Sequence, residues 1–441
     1  MGHNPGLPGY TGSQHWPYRF NVTKTAPGRI FDGWYVVASV FVLFMVNAGL
    51  GFYGLSVFLE AITDEQGFST ADVSFATSIF FIVSAISGRL IAPVIQTRDI
   101  RVVVGIGAVI AATGLWLMGQ STQLIALYLS YLVFAIGVGL SGLVPGTTLV
   151  TRWFQVRRSV ALSVASTGLS VGGLTITVLA STIIDRKGMS GAAPWLSLIY
   201  LATVAIALFA LWPDPAARGQ LPDGGLTADG EVAPAATGIA YDDAVGSFFF
   251  KLVTLGFVFA MGAQVGAIAQ LFKLGTERAE AGAALVSSVA LASVIARLVG
   301  GVVASRVELI AMTSALSAIQ GVSLVWLSQV DSKAMLVAAT LLFGCTTGNL
   351  LMMQPLVIAD RFGVSDYPRV FAFSQLIVTG FGVAGGPYLL GWLHDVSSYT
   401  ASYLAAAGLS IAGSVVFFVA WRLTPTAADS VAVATESRRE R

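Results

Sequence analysis

Two arginines interrupt otherwise apolar stretches of this 441-residue chain, and their chemistry calls for a reason. Arg297 stands nine residues before Arg306, and Arg89 nine before Arg98, each of the later arginines closing an apolar run. Nine helical residues span roughly 13 Å, close to half of a ~30 Å hydrocarbon core. An arginine at that depth costs at least ~2.5–3.5 kcal/mol on insertion scales, so it pairs, lines a wet cavity or holds a ligand. Of the 23 acidic residues, all but Glu60 fall in loops, tails or the extreme ends of apolar runs. A guanidinium without a protein carboxylate is suited to bidentate capture of a substrate carboxylate. Arg297 is therefore expected to bind an anion, with bonding to backbone carbonyls as the alternative. For Arg89 the two readings balance: a second cation facing the substrate, or a bond to neighbouring helices or the inner gate. Tyr53, Asn47, Gln264, Asn349, Gln354 and Gln375 are further polar side chains within apolar runs. Each could meet a carboxylate or hydroxyl, or make a helix–helix bond worth ~0.6 kcal/mol.

Other chemistries find no support. The one cysteine, Cys345, sits in an apolar run, and His3, His15 and His394 lie outside such runs, so neither a metal site nor a disulfide framework is expected. There is no GK[ST] phosphate loop and no Ser-His-Asp or paired-carboxylate arrangement. No enzymatic activity, cofactor or nucleic-acid partner is expected.

The composition says what must position these residues. The chain is 55% hydrophobic and 11% charged, with mean hydropathy +0.79, far from the ~25% charge of soluble domains. A window of ~20 apolar residues finds twelve spans, at 34–61, 71–97, 102–120, 123–150, 158–184, 193–212, 246–272, 281–304, 307–329, 333–359, 368–393 and 399–421. The long polar stretch 213–245, with Pro213, Pro215, Pro222 and Pro234, reads as a flexible linker between two six-helix bundles, 34–212 and 246–421. Tails at 1–33 and 422–441 flank them, and the Asn21-Val22-Thr23 sequon in the first reads as coincidence. With the N-terminus inside, seventeen Lys and Arg collect on the cytoplasmic side against Arg186, Lys187, Lys273, Arg278 and Lys333 outside. That bias predicts both termini in the cytosol. Eight of the nine tryptophans fall near span ends, as interfacial belts require.

An offset of about 210 residues exposes a repeat. Gly88-Arg89-Leu90 matches Ala296-Arg297-Leu298, the Pro145 and Pro355 spans both end in a basic–aromatic run, and Thr167-Gly168 matches Thr379-Gly380. Two parallel six-helix repeats about an axis along the membrane normal are the major facilitator architecture, with its substrate site at the repeat interface.

The entry to span 1, Phe31-Asp32-Gly33-Trp34-Tyr35-Val36-Val37, resembles that of the monocarboxylate transporters and their oxalate/formate-type bacterial relatives. So does Arg152-Trp153-Phe154 followed by Arg157-Arg158. The resemblance implies a carrier of small organic anions, puts the family's substrate arginine on Arg297 and its span 1 substrate position on Tyr53. It also matches Arg158 to an arginine at the cytoplasmic mouth of span 5. The aspartate of proton-coupled members is replaced by Ser293, their span 1 lysine by Tyr53, and the lysine of oxalate carriers is missing from span 11. Family proton coupling is therefore not carried over. The superfamily loop after span 2 keeps its basic ends, Arg98 and Arg101, but its aspartate is Gln96, and the matching span 8 position is Ser305 before Arg306. Its latch is expected to be weaker or differently built. The paired glycines Gly172-Gly173 and Gly385-Gly386 are expected to let spans 5 and 11 rock against spans 2 and 8.

The expectation is an all-α membrane protein of the major facilitator fold, a monomer in a bacterial-type inner membrane. It would move mono- or dicarboxylates by alternating access, using Arg297, Arg89, Tyr53, Asn47, Gln264, Asn349 and Gln375, with Arg98, Arg101, Arg158 and Arg306 in gating loops. The alternative is an exporter of apolar or drug-like compounds.

Overall fold

The computed structural model describes residues 31–225 and 238–423, leaving the sequon, most of both predicted tails and the middle of the linker outside it. Among the described residues the chain is almost wholly helical. In the first half run α1 (Gly33–Gly51), α2 (Gly54–Gln66), α3 (Thr70–Thr97), α4 (Ile100–Gly119), α5 (Leu124–Ser141), α6 (Leu143–Trp153) and α7 (Arg158–Leu208). After the short α8 (Tyr241–Gly246) come α9 (Phe248–Ala279), α10 (Gly282–Ala304), α11 (Leu309–Gln329), α12 (Lys333–Phe362), α13 (Tyr367–Ile377), α14 (Gly385–Val396) and α15 (Tyr399–Leu423).

Among the described residues, eleven continuous runs are long and apolar enough to cross a membrane. The 51-residue α7 accounts for two crossings, because Gly188 breaks it with φ 69° and ψ 170°. At ~1.5 Å per residue an unbroken helix of that length would reach about 77 Å, more than twice a hydrocarbon core. Both of its ends lie on one face, where the Trp153 Nε1 beside its start donates to Trp212 O beyond its end at 2.9 Å. The polar cluster Asp185-Arg186-Lys187 sits at the reversal, and Met189 N donates to the Glu65 carboxylate there. Twelve crossings result, as the span arithmetic requires.

Helix starts follow local rules. Ser69 caps α3 by accepting from Asp72 N at 3.1 Å, and Ser247 caps α9 by accepting from Phe250 N at 3.1 Å. Asp99 caps α4 through Arg101 N, and the Arg101 side chain holds its carboxyl below the usual carboxylate range.

The pairing of elements repeats between the halves. The α3–α5 contact recurs as α10–α12, α4–α7 as α11–α15, and α1–α7 as α9 against α14 and the π-helical turn Val378–Val383. Small residues make the last pair possible. A Cβ on Gly168 would stand 2.2 Å from Phe41 O, on Gly172 2.0 Å from Met45 O, and on Gly386 2.2 Å from Gly262 O. These glycines thus seat spans 5 and 11 on spans 1 and 7 of their own bundles, a correction to the expected role against spans 2 and 8. The seams between bundles are α7 on α10 and α3 on α13. At the first, Gly301 makes room for the Ser163 side chain.

The described ends of the linker bond to the loops beside them. Asp223 accepts from Gln155 N at 2.7 Å, Val156 N at 2.8 Å and Arg157 N at 3.2 Å, anchoring the loop that leads into α7. On the far side, Gly238 bridges to Gly363 and Ile239 N donates to Phe362 O at 2.9 Å.

Candidate functional site

Three of the helices that meet at the centre are broken there. Span 1 breaks at Phe52 and Tyr53 between α1 and α2, span 4 at Gly142 between α5 and α6, and span 11 passes through the π-helical turn. Glycines cluster at each break, and Thr177 Oγ1 donates to Gly49 O at 2.8 Å, satisfying a carbonyl that the first break frees. Interrupted backbone in a membrane is tolerated where it is buried or lines a cavity. Such a cavity is present: about 240 Å³, bounded by both bundles.

Arg297 lines it from α10 and is 2% exposed. Its Nε–H donates to Gly348 O at 2.9 Å and an Nη1–H donates to Ser166 O, while its own carbonyl accepts from Ser163 Oγ. A guanidinium has five N–H donors, so three remain after these two. The carbonyls orient the group without neutralising it, and none of the cavity-lining residues is Asp, Glu or His. Tyr53 enters from the break in span 1, its ring laid against Gly173, and lies within electrostatic range of Arg297. Ser293, one turn before Arg297, also lines the cavity and shares a 3.1 Å hydrogen bond with Ser170 across the seam.

Gln264 and Gln375 line the cavity too, and the Oε1 of each is buried with no partner. Gln375 Nε2 donates to Thr379 Oγ1 at 3.0 Å. Asn47 reaches the wall with its amide already used. Its Nδ2 donates to Leu43 O and Ser141 O, and its Oδ1 accepts from Tyr200 Oη at 2.8 Å. Asn349 lies behind the wall, donating to Ala296 O and Cys345 O at 2.9 Å each, and Gln354 donates to Ser374 Oγ at 3.1 Å.

Arg89 is elsewhere. Its Nη2 donates to Tyr241 Oη at 2.7 Å, and its guanidinium lies 5.0 Å from the Tyr241 ring centroid and 5.7 Å from that of Phe373. Of the two placements left open, the structure has Arg89 bonded to the linker and outside the cavity lining. Arg369 sits 4.3 Å from the Tyr241 ring centroid, so this tyrosine stands between two guanidinium groups. Beside it, Asp366 Oδ1 accepts from Gln96 Nε2 at 2.8 Å and Oδ2 from Tyr241 N at 2.9 Å. At this place an amide of the first bundle meets a carboxylate of the second. Arg158 Nε donates to Phe154 O at 3.1 Å, within electrostatic range of Asp360 and Asp223, and Arg101 pairs with Asp99 at 2.7 Å. Arg98 and Arg306 are exposed.

All these closing contacts lie on the arginine-rich face. Toward the other face the α3 seam runs through α13 and the π-helical turn and fades at α14. The contacts of α3 with the second bundle thus concentrate toward the arginine-rich side. Sequence reasoning missed the aromatic wall formed by Phe44, Phe52, Phe80 and Phe81. The Phe52-Tyr53 and Phe80-Phe81 pairs were its signal, but an apolar run carries no sign of which residues face a cavity.

The sequence profile of the Major Facilitator Superfamily matches residues 40–376 and 252–440. Monocarboxylate transporter 13 of Rattus norvegicus is 27% identical over 408 residues, covering 89% of this chain and 90% of that protein. An MFS-type transporter of Gibberella moniliformis is 25% identical over 90% of this chain and 92% of its own length. Among solved structures, the E. coli fucose:proton symporter superimposes with a TM-score of 0.65 at 16% identity, over 89% of this chain and 98% of its own. The human organic anion transporter MFSD10 gives 0.64 at 16% identity, over 87% and 99%. The protein is a multi-pass membrane transporter and not an enzyme: the chain belongs to the major facilitator superfamily, and its sequence is monocarboxylate-transporter-like.

Proposed function

We propose that this protein carries small organic anions, mono- or dicarboxylates, by alternating access, with Arg297 as the carboxylate anchor. The observation that carries the reading is a buried guanidinium in a central cavity that holds no acid, with three N–H groups left over after the two bonds that orient it. Removing water strengthens its field, because unit charges interact several-fold more strongly at low effective dielectric than in bulk. A carboxylate entering from the open side would supply the missing counter-charge. The similarity to monocarboxylate transporter 13 supports the same class of cargo.

The moving bodies are the two bundles, 34–212 and 246–421. Opening toward the arginine-rich face requires α10 to leave α7, which breaks the Arg297 bond to Ser166 O, and α3 to leave α13. The lysine and arginine bias supports a cytosolic position for that face and both termini, in a reading where the carrier works as a monomer in a bacterial-type inner membrane. With no titratable acid or histidine on the cavity wall, coupling is by exchange, by facilitated movement, or by a proton carried on the substrate.

The test is counterflow of a labelled carboxylate in proteoliposomes, in which Arg297→Ala folds but does not transport; undiminished uptake would overturn the assignment. The aromatic wall favours a second reading, an exporter of apolar compounds. Thermal stabilisation by lipophilic cations and by no carboxylate would select it.

A further inference from the structure

The chemistry of the cavity wall is divided between the bundles. The second bundle supplies Arg297, Gln264, Gln375, Ser293, Thr347 and Thr379, while the first supplies mainly rings and small residues. Phe52 stands edge-to-face with Tyr53 at 5.0 Å and with Phe81 at 5.7 Å, and Phe81 with Phe80 at 5.5 Å. Ala48, Gly51, Ala85, Gly139 and Gly142 line the cavity beside these rings. The Asn47 amide on that side is saturated by Leu43, Ser141 and Tyr200. A ligand's polar end is thus held mainly from the second bundle, with Tyr53 facing it from the first, and the rest of the first bundle's wall offers an apolar slot.

Two further facts narrow the ligand. The 240 Å³ cavity has room for about eight waters at ~30 Å³ each, more than a three-carbon acid fills. Second, the Oε1 atoms of Gln264 and Gln375 are buried acceptors without a donor, and a buried unmatched acceptor is costly. Arg297 binds the ligand's carboxylate and gives its own protein bonds to Gly348 O and Ser166 O rather than to these amides. A donor on the ligand that reaches either amide would match it. It has to be neutral, because an ammonium group beside Arg297 would meet a like charge with no acid on the wall to offset it.

We propose that the preferred substrate is a carboxylate with an aryl-sized apolar body and a neutral hydroxyl. Arg297 takes the carboxylate, the Oε1 of Gln264 or of Gln375 accepts the hydroxyl's one proton, and the slot beside Phe52 and Phe81 receives the body. This rests on the anion reading above and adds body size and hydroxyl recognition to it.

The experiment is competition against labelled carboxylate counterflow by four probes: lactate, 3-phenyllactate, 3-phenylpropionate and phenylalanine. On the wild-type protein 3-phenyllactate is expected to compete about tenfold better than lactate, for want of a body, and about tenfold better than 3-phenylpropionate, for want of a hydroxyl. Phenylalanine is the weakest of the aryl probes. Gln264→Leu and Gln375→Leu should bring 3-phenyllactate and 3-phenylpropionate together, leaving 3-phenylpropionate unchanged. Ala85→Leu, which fills the slot, should cost 3-phenyllactate its advantage and spare lactate. Equal competition by lactate and 3-phenyllactate, or a preference for phenylalanine, overturns the proposal while leaving the anion reading intact. If no carboxylate supports counterflow, the anion reading falls and this proposal falls with it. The wild-type comparison needs no variant, so a misfolded substitution cannot shelter the idea.

Discussion

Replacing Arg297 by Met separates its two roles in a way that the structure makes quantitative. The side chain gives two N–H groups to Gly348 O and Ser166 O and keeps three for a ligand, and no acid lines the cavity. Truncating one partner of a buried, hydrogen-bonded charge pair costs ~2–5 kcal/mol of binding. At 1.4 kcal/mol per decade that weakens a carboxylate by a factor of roughly 30 to 4,000. Folding should respond in the opposite sense. The buried cation has no protein counter-charge, and replacing a buried charge by an apolar group of similar volume is often neutral or stabilising. The two carbonyls it leaves are accepting groups on helices, so each loses at most a second bond. Arg297→Met is therefore expected to unfold at the wild-type temperature or above it while losing carboxylate counterflow. Arg297→Lys keeps the charge but is a compact point charge without the planar fork. It should orient poorly against both carbonyls and ligand together, and retain weak transport. Uptake assays in proteoliposomes and thermal unfolding in detergent read the two effects independently. A melting temperature far below wild type with no change in affinity per folded molecule would refute the reasoning, because Arg297 would then be a structural tie between α7 and α10.

Three other predictions concern the gate and the helix seams. Arg89→Ala should leave carboxylate affinity within about twofold of wild type but shift the equilibrium toward opening on the arginine-rich face; an affinity loss matching that of Arg297→Ala would return Arg89 to the substrate. Asp366→Ala removes acceptors for Gln96 Nε2 and Tyr241 N. At ~1.5–3 kcal/mol for a charge-assisted bond it should shift the same equilibrium about 10- to 100-fold, seen as lengthened spin-label distances between α3 and α13; unchanged distances would show that the latch carries no weight. Gly172→Ala sets a Cβ 2.0 Å from Met45 O, whereas a Cβ on Gly391 meets nothing within 4 Å. The first should cost about 1–3 kcal/mol of overpacking and the second should gain about 0.5–1 kcal/mol of helix propensity. Thermal melts that rank them the other way would contradict the α1–α7 packing.

The twelve crossings were legible because a bilayer imposes a length: a helix must stay apolar for ~20 residues, and each such run can be counted. The repeat was legible for the same reason that it is a repeat, with arginines, prolines and glycines recurring at one offset. What could not be read was azimuth. Arg89 and Arg297 occupy matching places in their bundles, yet Arg297 turns into the cavity and Arg89 turns to Tyr241. That tyrosine belongs to the linker, a segment with no counterpart in the repeat, so symmetry could say nothing of it. The placement of Asn349 was illegible for a related reason. Its amide can back-bond to Cys345 O one turn earlier and reach Ala296 O on α10, and both choices turn it from the cavity.

The breaks in spans 1, 4 and 11 were hidden because a helix interrupted at Phe52, at Gly142 or through a π turn has the same hydropathy as a continuous one. Only the glycines hinted at them, and the same glycines also serve close packing, as Gly168 and Gly172 do against α1. Both duties meet in Gly173. It lies next to the Gly172 contact with Met45 O, and a Cβ there would stand 2.7 Å from the Tyr53 ring. The residue that lets span 5 approach span 1 thus adjoins the one that lets Tyr53 lie flat before Arg297. Any displacement of α7 against α1 would therefore carry the floor beneath Tyr53 with it, which ties the shape of the cavity to the packing of these two helices.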